Sequence, residues 1–448
     1  MIKVYYSLSF EQSSPVRIGN GKHEESDNDL MLDGRGLPFI PGTSLAGIIR
    51  HLALSIGMSE ETEKRLFGTV LLSPKPGYDP IIEKSAVIFG DAVLDKTITR
   101  DDIVFGKRDG VGLNDWGTAK KSSKFDFQIA ESGCSFYSII EWTGNDEQYK
   151  TEIDGIIEPI LKHYIADGIM VGARTSRGYG LFKLCGKRRI FDFPKDLNYW
   201  INDFNPYDRE AFKDAFELTG ELQELETVLE IKVKATSQFS VRVNKARTEL
   251  AEDDSIPNSV PMANYKGNPV IPGTAWAGAF RHHMHALLRD VGISEDSDEM
   301  QKVDELFGMA SGSGSTGKSR LVFSETEILV KDKFVQKSSV IRTAIDRFTA
   351  APINAALFTN MVYSGGKGTL KITYRKKSIN NKYLELLAAC ICDLHLGLIT
   401  LGGEASVGRG TMRVLSVKSN GTDKTEGMKN TIDNGGTLNW LEEGDENE

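Results

Sequence analysis

The chain has 448 residues, of which 40% are hydrophobic and 26% charged, with a formal net charge of −9; this is an ordinary globular profile, long enough for two or three domains. No apolar run approaches the ~18 residues that span a bilayer, the start lacks the basic and apolar regions of a signal peptide, and four cysteines are too few for a disulfide scaffold. A soluble, cytoplasmic chain with no membrane partner is expected, and the acidic total argues against a free-standing nucleic-acid binder, although a groove can be basic on an acidic body.

Along the chain, a β-rich start leads into a polar loop, Ser26-Asp27-Asn28-Asp29, and then to the turn Ile40-Pro41-Gly42-Thr43. An amphipathic helix follows, with Leu45, Ile48, Ile49, Leu52 and Ile56 on one stripe and Thr43 or Ser44 available as N-cap. Later come β-branched residues at 85–94, a long insertion at 105–121, a second apolar helix, the Gly-rich loop GARTSRGYG at 172–180 and a closing strand. Residues 185–225 are less regular, hold Pro194 and Pro206, and read as a connector.

From residue 226 the order repeats. Ile-Pro-Gly-Thr returns with Gly273, 231 residues after Gly42, followed both times by Ala-Gly and then by Arg50 or Arg281. The Gly-rich loop returns as GGEASVGRG, with Gly410 lying 230 residues after Gly180. Two distant landmarks that hold their separation within one residue imply a tandem duplication. The expected organisation is a first domain at 1–184, the connector, a second domain at 226–418 and an acidic tail at 419–448. That tail reads as disordered, with Trp440 and Leu441 as a small docking element. Strands that outnumber helices and alternate with them unevenly point to an α+β fold, each half a ferredoxin-like unit carrying an insertion.

Several motifs invite chemistry. Gly312 to Ser319 satisfies GxxxxGK[ST], but a strand-like run (Arg320 to Glu325) follows it, whereas a phosphate cradle needs a helix there. His282, His283 and His285 resemble a metal cluster; His283 occupies the slot of apolar Leu52, so a partly buried histidine is expected. Cys390 and Cys392 sit on an apolar helical stretch and read as buried thiols. The paired Gly-rich loops are either tight helix-to-strand turns or anion nests. In the nest reading Arg174, Arg177, Gly178 and Gly180 act in the first loop, and Gly408, Arg409 and Gly410 in the second. The insertions mix basic and aromatic residues: Lys107, Arg108 and Trp116 in the first half, Arg347 and Phe348 in the second. Such mixtures suit single-stranded nucleic acid or form solvated hairpins.

Taken together, the polar loop before Ile-Pro-Gly-[Thr/Ser], the element Ile345-Asp346-Arg347-Phe348-Thr349 and the terminal G-x-G loop resemble the RAMP superfamily. More narrowly, they are similar to backbone subunits of type III CRISPR effector complexes, here as a fused pair of domains of the III-D kind. The resemblance implies two tandem modified ferredoxin-like (RRM-like) RAMP domains, each with a thumb insertion. It implies CRISPR guide RNA, single-stranded target RNA and other effector-complex subunits as partners. It further implies target-RNA cleavage by a loop aspartate that matches Asp27, with a divalent metal ion such as Mg²⁺. The corresponding register in the second half holds Asn258, with Asp253 and Asp254 just upstream where a loop shift could recruit one, so weak or no cleavage is expected from the second half. Arg17, Arg50, Arg174 and Arg177, with counterparts Arg242, Arg281 and Arg409, are the expected phosphate contacts. The alternative function is a non-catalytic RNA-binding scaffold, with Asp27 an ordinary solvated acid. A guide-processing nuclease would want a general acid–base pair, and only His51/His282 recurs in both halves.

Overall fold

The computed structural model describes residues 1–21, 29–71, 81–113, 119–131, 133–221, 226–243, 260–264, 267–308, 317, 319–329, 336–375 and 378–442. The chain divides into two compact units. The first comprises Met1–Lys107, Asp126–Thr175 and Tyr179–Gln223; the second comprises Arg108–Phe125, Ser176–Gly178 and Glu224–Glu448.

In the first unit, strand β1 (Ile2–Gln12) lies at the centre of an antiparallel sheet between β4 (Leu181–Asp192) and β3 (Ser135–Gly144), with β2 (Val87–Phe89) outside β3. Helix α1 (Gly42–Ser55) joins β1 to β2, and α2 (Glu158–Asp167), preceded by a π-helical stretch at Tyr149–Ile157, joins β3 to β4. The spatial order β4-β1-β3-β2 with a helical connection after the first and after the third strand is the ferredoxin-like βαββαβ arrangement; a further short helix, Glu60–Phe67, follows α1. Alternation along β1 sends Val4, Tyr6, Leu8 and Phe10 into the helix-covered core.

The second unit repeats this plan. Strand β5 (Thr227–Ala235) pairs with β7 (Lys367–Tyr374) and β8 (Met412–Ser419), and β6 (Val322–Phe323) pairs with β7, giving β8-β5-β7-β6. Helices α3 (Gly273–Asp290) and α4 (Asn381–Leu396) bury Trp276, Phe280, Met284, Leu387 and Ile391 on one sheet face. Cys390 and Cys392 are buried thiols on α4, as expected, and burial raises both; Cys392 reaches about 11.

The duplicated Pro-Gly turn has a packing reason. A Cβ on Gly42 would stand 2.1 Å from the Phe89 carbonyl oxygen, and one on Gly273 would stand 2.1 Å from that of Phe323. Only glycine lets each helix start this close to the neighbouring strand. The expected N-cap is replaced: α1 begins at Gly42, whose N–H donates to Asp91 Oδ1 at 2.7 Å, and neither Thr43 nor Ser44 caps it.

Two expected boundaries shift. Residues 185–221, anticipated as a connector, fold with the first unit: β4 runs to Asp192, and Phe191, Phe204 and Phe212 close with Tyr5 into a second small core. The tail is ordered through residue 442: α5 (Thr425–Asn434) follows β8, and Trp440 and Leu441 are buried in the second core. Residues 443–448 lie outside the described residues.

Candidate nucleic-acid interface

In the first unit the polar loop is entered through Val16–Asn20 and left through Asp29–Met31. Asn20 N–H donates to the Asp29 carbonyl at 3.2 Å, Met31 N–H donates to Ile18 at 2.7 Å, and Gly19 bridges Leu30. Asp27, the expected catalytic and metal-binding residue, lies outside the described residues, between these two well-anchored ends.

At the base of that loop, two guanidiniums share one ring. The central carbons of Arg17 and Arg174 lie 4.9 and 4.6 Å from the Phe127 centroid, and Tyr179 meets Phe127 edge-on at 5.7 Å. The Gly-rich loop brings them together: Ala173 N–H donates to the Arg17 carbonyl at 2.7 Å, and a Cβ on Gly172 would sit 2.4 Å from that oxygen. Arg174 itself adopts a left-handed φ of 62°, a conformation that non-glycine residues enter rarely. Burial lowers both arginines from the ordinary value, and for Arg17 the charge of Arg174 is the next cause. Arg17 Nε is a buried donor with no hydrogen-bond partner among the described residues. Arg17 is 8% exposed, so the two guanidiniums meet at the edge of the core rather than on an open surface.

The glycines of the paired loops serve the backbone. Gly180 N–H donates to Pro15 O, Gly410 N–H to Gln238 O (both 2.8 Å), and Gly408 N–H to Ala405 O at 2.9 Å, so these three amides are not the open donors of an anion nest. Their φ values of +75°, +80° and +79° are left-handed, and a Cβ would stand 1.8 Å from Val171 O at Gly180 and 2.1 Å from Leu401 O at Gly410. Gly178 (φ +85°) is likewise closed to a side chain, by the Glu325 nitrogen at 2.3 Å. The tight-turn reading holds at these positions.

The duplicated helix arginine also has a structural occupation in both units. Arg50 Nη2 lies 2.6 Å from Glu63, and Arg281 Nε donates to Asp304 at 2.8 Å, each pairing the first helix of its unit with the helix that follows (Glu60–Phe67 and Asp298–Phe307). His283 behaves as expected, half-buried with Nε2 2.7 Å from Asp393 Oδ2.

The second Gly-rich loop differs in charge. The spacing that aligns Gly180 with Gly410 sets Glu404 opposite Arg174, and both take the left-handed conformation, at φ 68° and 62°. Glu404 ion-pairs with Arg409, which is 6% exposed, and with Arg342 at 3.1 Å, while accepting from Asn360 Nδ2 at 2.9 Å. The acid fastens the hairpin strands carrying Arg342 and Asn360 to the loop. Arg409 is therefore countered by a carboxylate of its own loop.

Both insertions are β-hairpins: Phe105–Leu113 with Ala119–Ala130, and Gln336–Ile345 with Pro352–Ser364. At the tip of the second, Asp346 accepts the N–H groups of Thr349 and Phe348 at 2.9 and 3.0 Å; these bonds hold its carboxyl below the ordinary value. The capped tip leaves Arg347 exposed and Phe348 94% exposed. In the first hairpin Arg108 is 6% exposed, so it does not offer its charge to solvent as expected. Trp116, Asp253, Asp254 and Asn258, with the side chains of Lys107 and Arg242, lie outside the described residues. Arg177 belongs to the second unit and donates to the Phe307 carbonyl at 3.4 Å.

Sequence reasoning missed Phe127 and Glu404. The loop alignment itself carried the signal for Glu404, an acid opposite an arginine; Phe127, one apolar residue in a long strand, carried none. Among the described residues, no helix is long and apolar enough to cross a membrane. No curated protein matches the chain. The family model of the RAMP superfamily matches residues 10–183 and 224–413, one stretch for each ferredoxin-like sheet. The two stretches together cover most of the chain, which belongs to the RAMP superfamily, a family of CRISPR-associated RNA-binding subunits.

Proposed function

We propose that the chain is a guide-RNA-binding backbone subunit of a type III CRISPR effector complex, with metal-dependent cleavage of target RNA from its first domain. The observation that carries the binding half of this reading is the Arg17–Phe127–Arg174 stack beside the ends of the polar loop. Two guanidiniums held on one ring are pre-oriented for consecutive phosphates, and their crowding is relieved when a polyanion arrives. The exposed ring of Phe348 on its capped tip supplies a surface against which a base stacks.

For cleavage, RNA carries its own nucleophile, the 2′-OH, so the protein has to orient the strand and neutralise charge at the phosphate. The loop offers Asp27, with Glu24 and Glu25 near it in sequence, as hard oxygen donors, a set that suits Mg²⁺, which keeps several waters and takes one or two carboxylates. Asp27 would hold such an ion, which supplies Lewis-acid stabilisation of the developing charge. Arg17 and Arg174 hold the strand in place. The second domain, with Asn258 in the matching register and Arg409 countered by Glu404, binds without cutting.

Asp27→Ala in the assembled complex tests the reading. Target RNA should bind as before and one cut should disappear. Persistence of every cut assigns the chain to the non-catalytic scaffold, and loss of target binding removes Asp27 from a purely catalytic role.

A further inference from the structure

The two units share a sheet topology but differ on the face turned away from the helices. In the first unit that face carries Tyr5 and, on β4, Phe191, and is covered by Phe204 and Phe212 of the segment that follows β4. In the second unit no such aromatic cover is found among the described residues, and the face is basic. Along β5 the core takes Leu229, Ile231, Val233 and Ala235, so Lys232 and Lys234 point outward, and both are exposed. On β7 the outward residues include Lys367 and Lys371, and on β8 Arg413 and Lys418; all but Lys418 are exposed. Among the described residues two acids share the register: Glu230 faces Lys371 and Lys418 and pairs with Lys371 at 3.0 Å, and Asp423 stands opposite Lys418. Asp423, at the edge, accepts from Thr425 and feels Lys418.

The register makes this patch more than a chance cluster. Lys234 pairs directly with Lys367 on one side and Arg413 on the other, three cations in one cross-strand row. Like charges directly opposite each other destabilise a sheet. Among the described residues no carboxylate lies within ion-pair distance of Lys232, Lys234, Lys367 or Arg413. The neighbouring row sets Lys232 between Thr369 and Ser416, hydroxyls of the kind that bond phosphate oxygens. A chain with a net charge of −9 thus keeps a basic row that no carboxylate among the described residues pairs.

We propose that this outer sheet face of the second unit, centred on Lys232, Lys234, Lys367 and Arg413, is a second nucleic-acid surface that holds the backbone of a single RNA strand without reading its bases. Lysine outnumbers arginine on it; lysine is depleted at protein interfaces, and it acts on phosphate as a compact point charge, so an acidic protein partner fits less well. Among the described residues no exposed aromatic side chain interrupts the face, which leaves contact to the phosphates. Neighbouring strands lie ~4.8 Å apart and alternate residues ~6.7 Å apart, so the cations form a lattice along which an extended strand lies. The inference does not depend on the stack around Phe127.

The test uses the full chain and a labelled oligouridine, with binding followed by anisotropy across a salt series. For Lys232→Gln/Lys234→Gln/Lys367→Gln, the slope of log Kd against log salt should become shallower by about two, at ~0.7 per single-strand phosphate contact. Lys234→Gln alone should weaken binding roughly threefold while raising Tm, because it relieves the like-charge row; a purely structural lysine would lower Tm and leave affinity alone. An unchanged slope in the triple variant overturns the proposal. Loss of binding to polyglutamate with RNA binding intact also overturns it, assigning the face to an acidic protein. If Arg17→Gln/Arg174→Gln loses RNA while the triple variant does not, this surface is refuted and the backbone reading stands.

Discussion

Gly408 and Gly410 share one loop and one backbone conformation, φ +79° and +80°, but not one environment. Alanine at either position places an L-residue in the left-handed region, at a cost of roughly 1–2 kcal/mol. At Gly408 nothing lies within 4 Å of the added Cβ, so the cost should stop there. At Gly410 the Cβ would meet the Leu401 carbonyl oxygen at 2.1 Å, with the Leu401 nitrogen and carbonyl carbon at 2.8 and 2.9 Å. That oxygen must recede by about 1 Å, which disturbs the Leu401 N–H bond to Gly410 O and the Gly410 N–H bond to Gln238 O, each worth ~1 kcal/mol. Gly408→Ala should therefore cost about 1 kcal/mol and Gly410→Ala about 3 kcal/mol or more. Urea denaturation of the full chain measures the difference, and hydrogen exchange across residues 387–414 locates it. Equal destabilisation by the two substitutions would refute the argument that close packing, rather than turn conformation alone, requires the final glycine.

Two further outcomes follow from the ion pairs. Glu404→Gln removes the carboxylate shared by Arg342 and Arg409; it should lower stability by ~1–3 kcal/mol and tighten binding of single-stranded RNA at low salt, both readable from one set of purified variants. Asp304 sits below its ordinary value of 3.8 because the bonds from His285 and Arg281 outweigh the upward push of burial. Its folded pKa is depressed, so its stabilisation is present above pH ~4 and lost as pH falls through the folded value. Asp304→Asn should be less stable than the parent at neutral pH, and the gap should close on acidification in a Tm-against-pH series.

The duplication was legible because its landmarks are backbone requirements: Gly42 and Gly273 admit a helix against a carbonyl, and Gly180 and Gly410 close a loop on its neighbour. Such positions survive as letters in a sequence. The role of Arg50 was not legible, since its partner Glu63 lies on a separate helix whose placement is set by tertiary packing. The small core of Tyr5, Phe191, Phe204 and Phe212 has no period, so its members looked like a connector. The tail misled for a similar reason: its polar composition suggested disorder, while Met428, Trp440 and Leu441 suffice to dock it. The first-loop cations were read from composition, but only the fold puts Phe127 beneath both.

The measurement that bears most directly on the RNA-binding claim is the affinity of the full chain for single-stranded RNA with Arg17 and Arg174 both replaced by glutamine. Removing two phosphate contacts should weaken binding about tenfold near physiological salt and flatten the salt dependence by ~1.4, with the thermal transition retained. Undiminished affinity in a folded double variant would mean that the paired guanidiniums on Phe127 do not hold RNA.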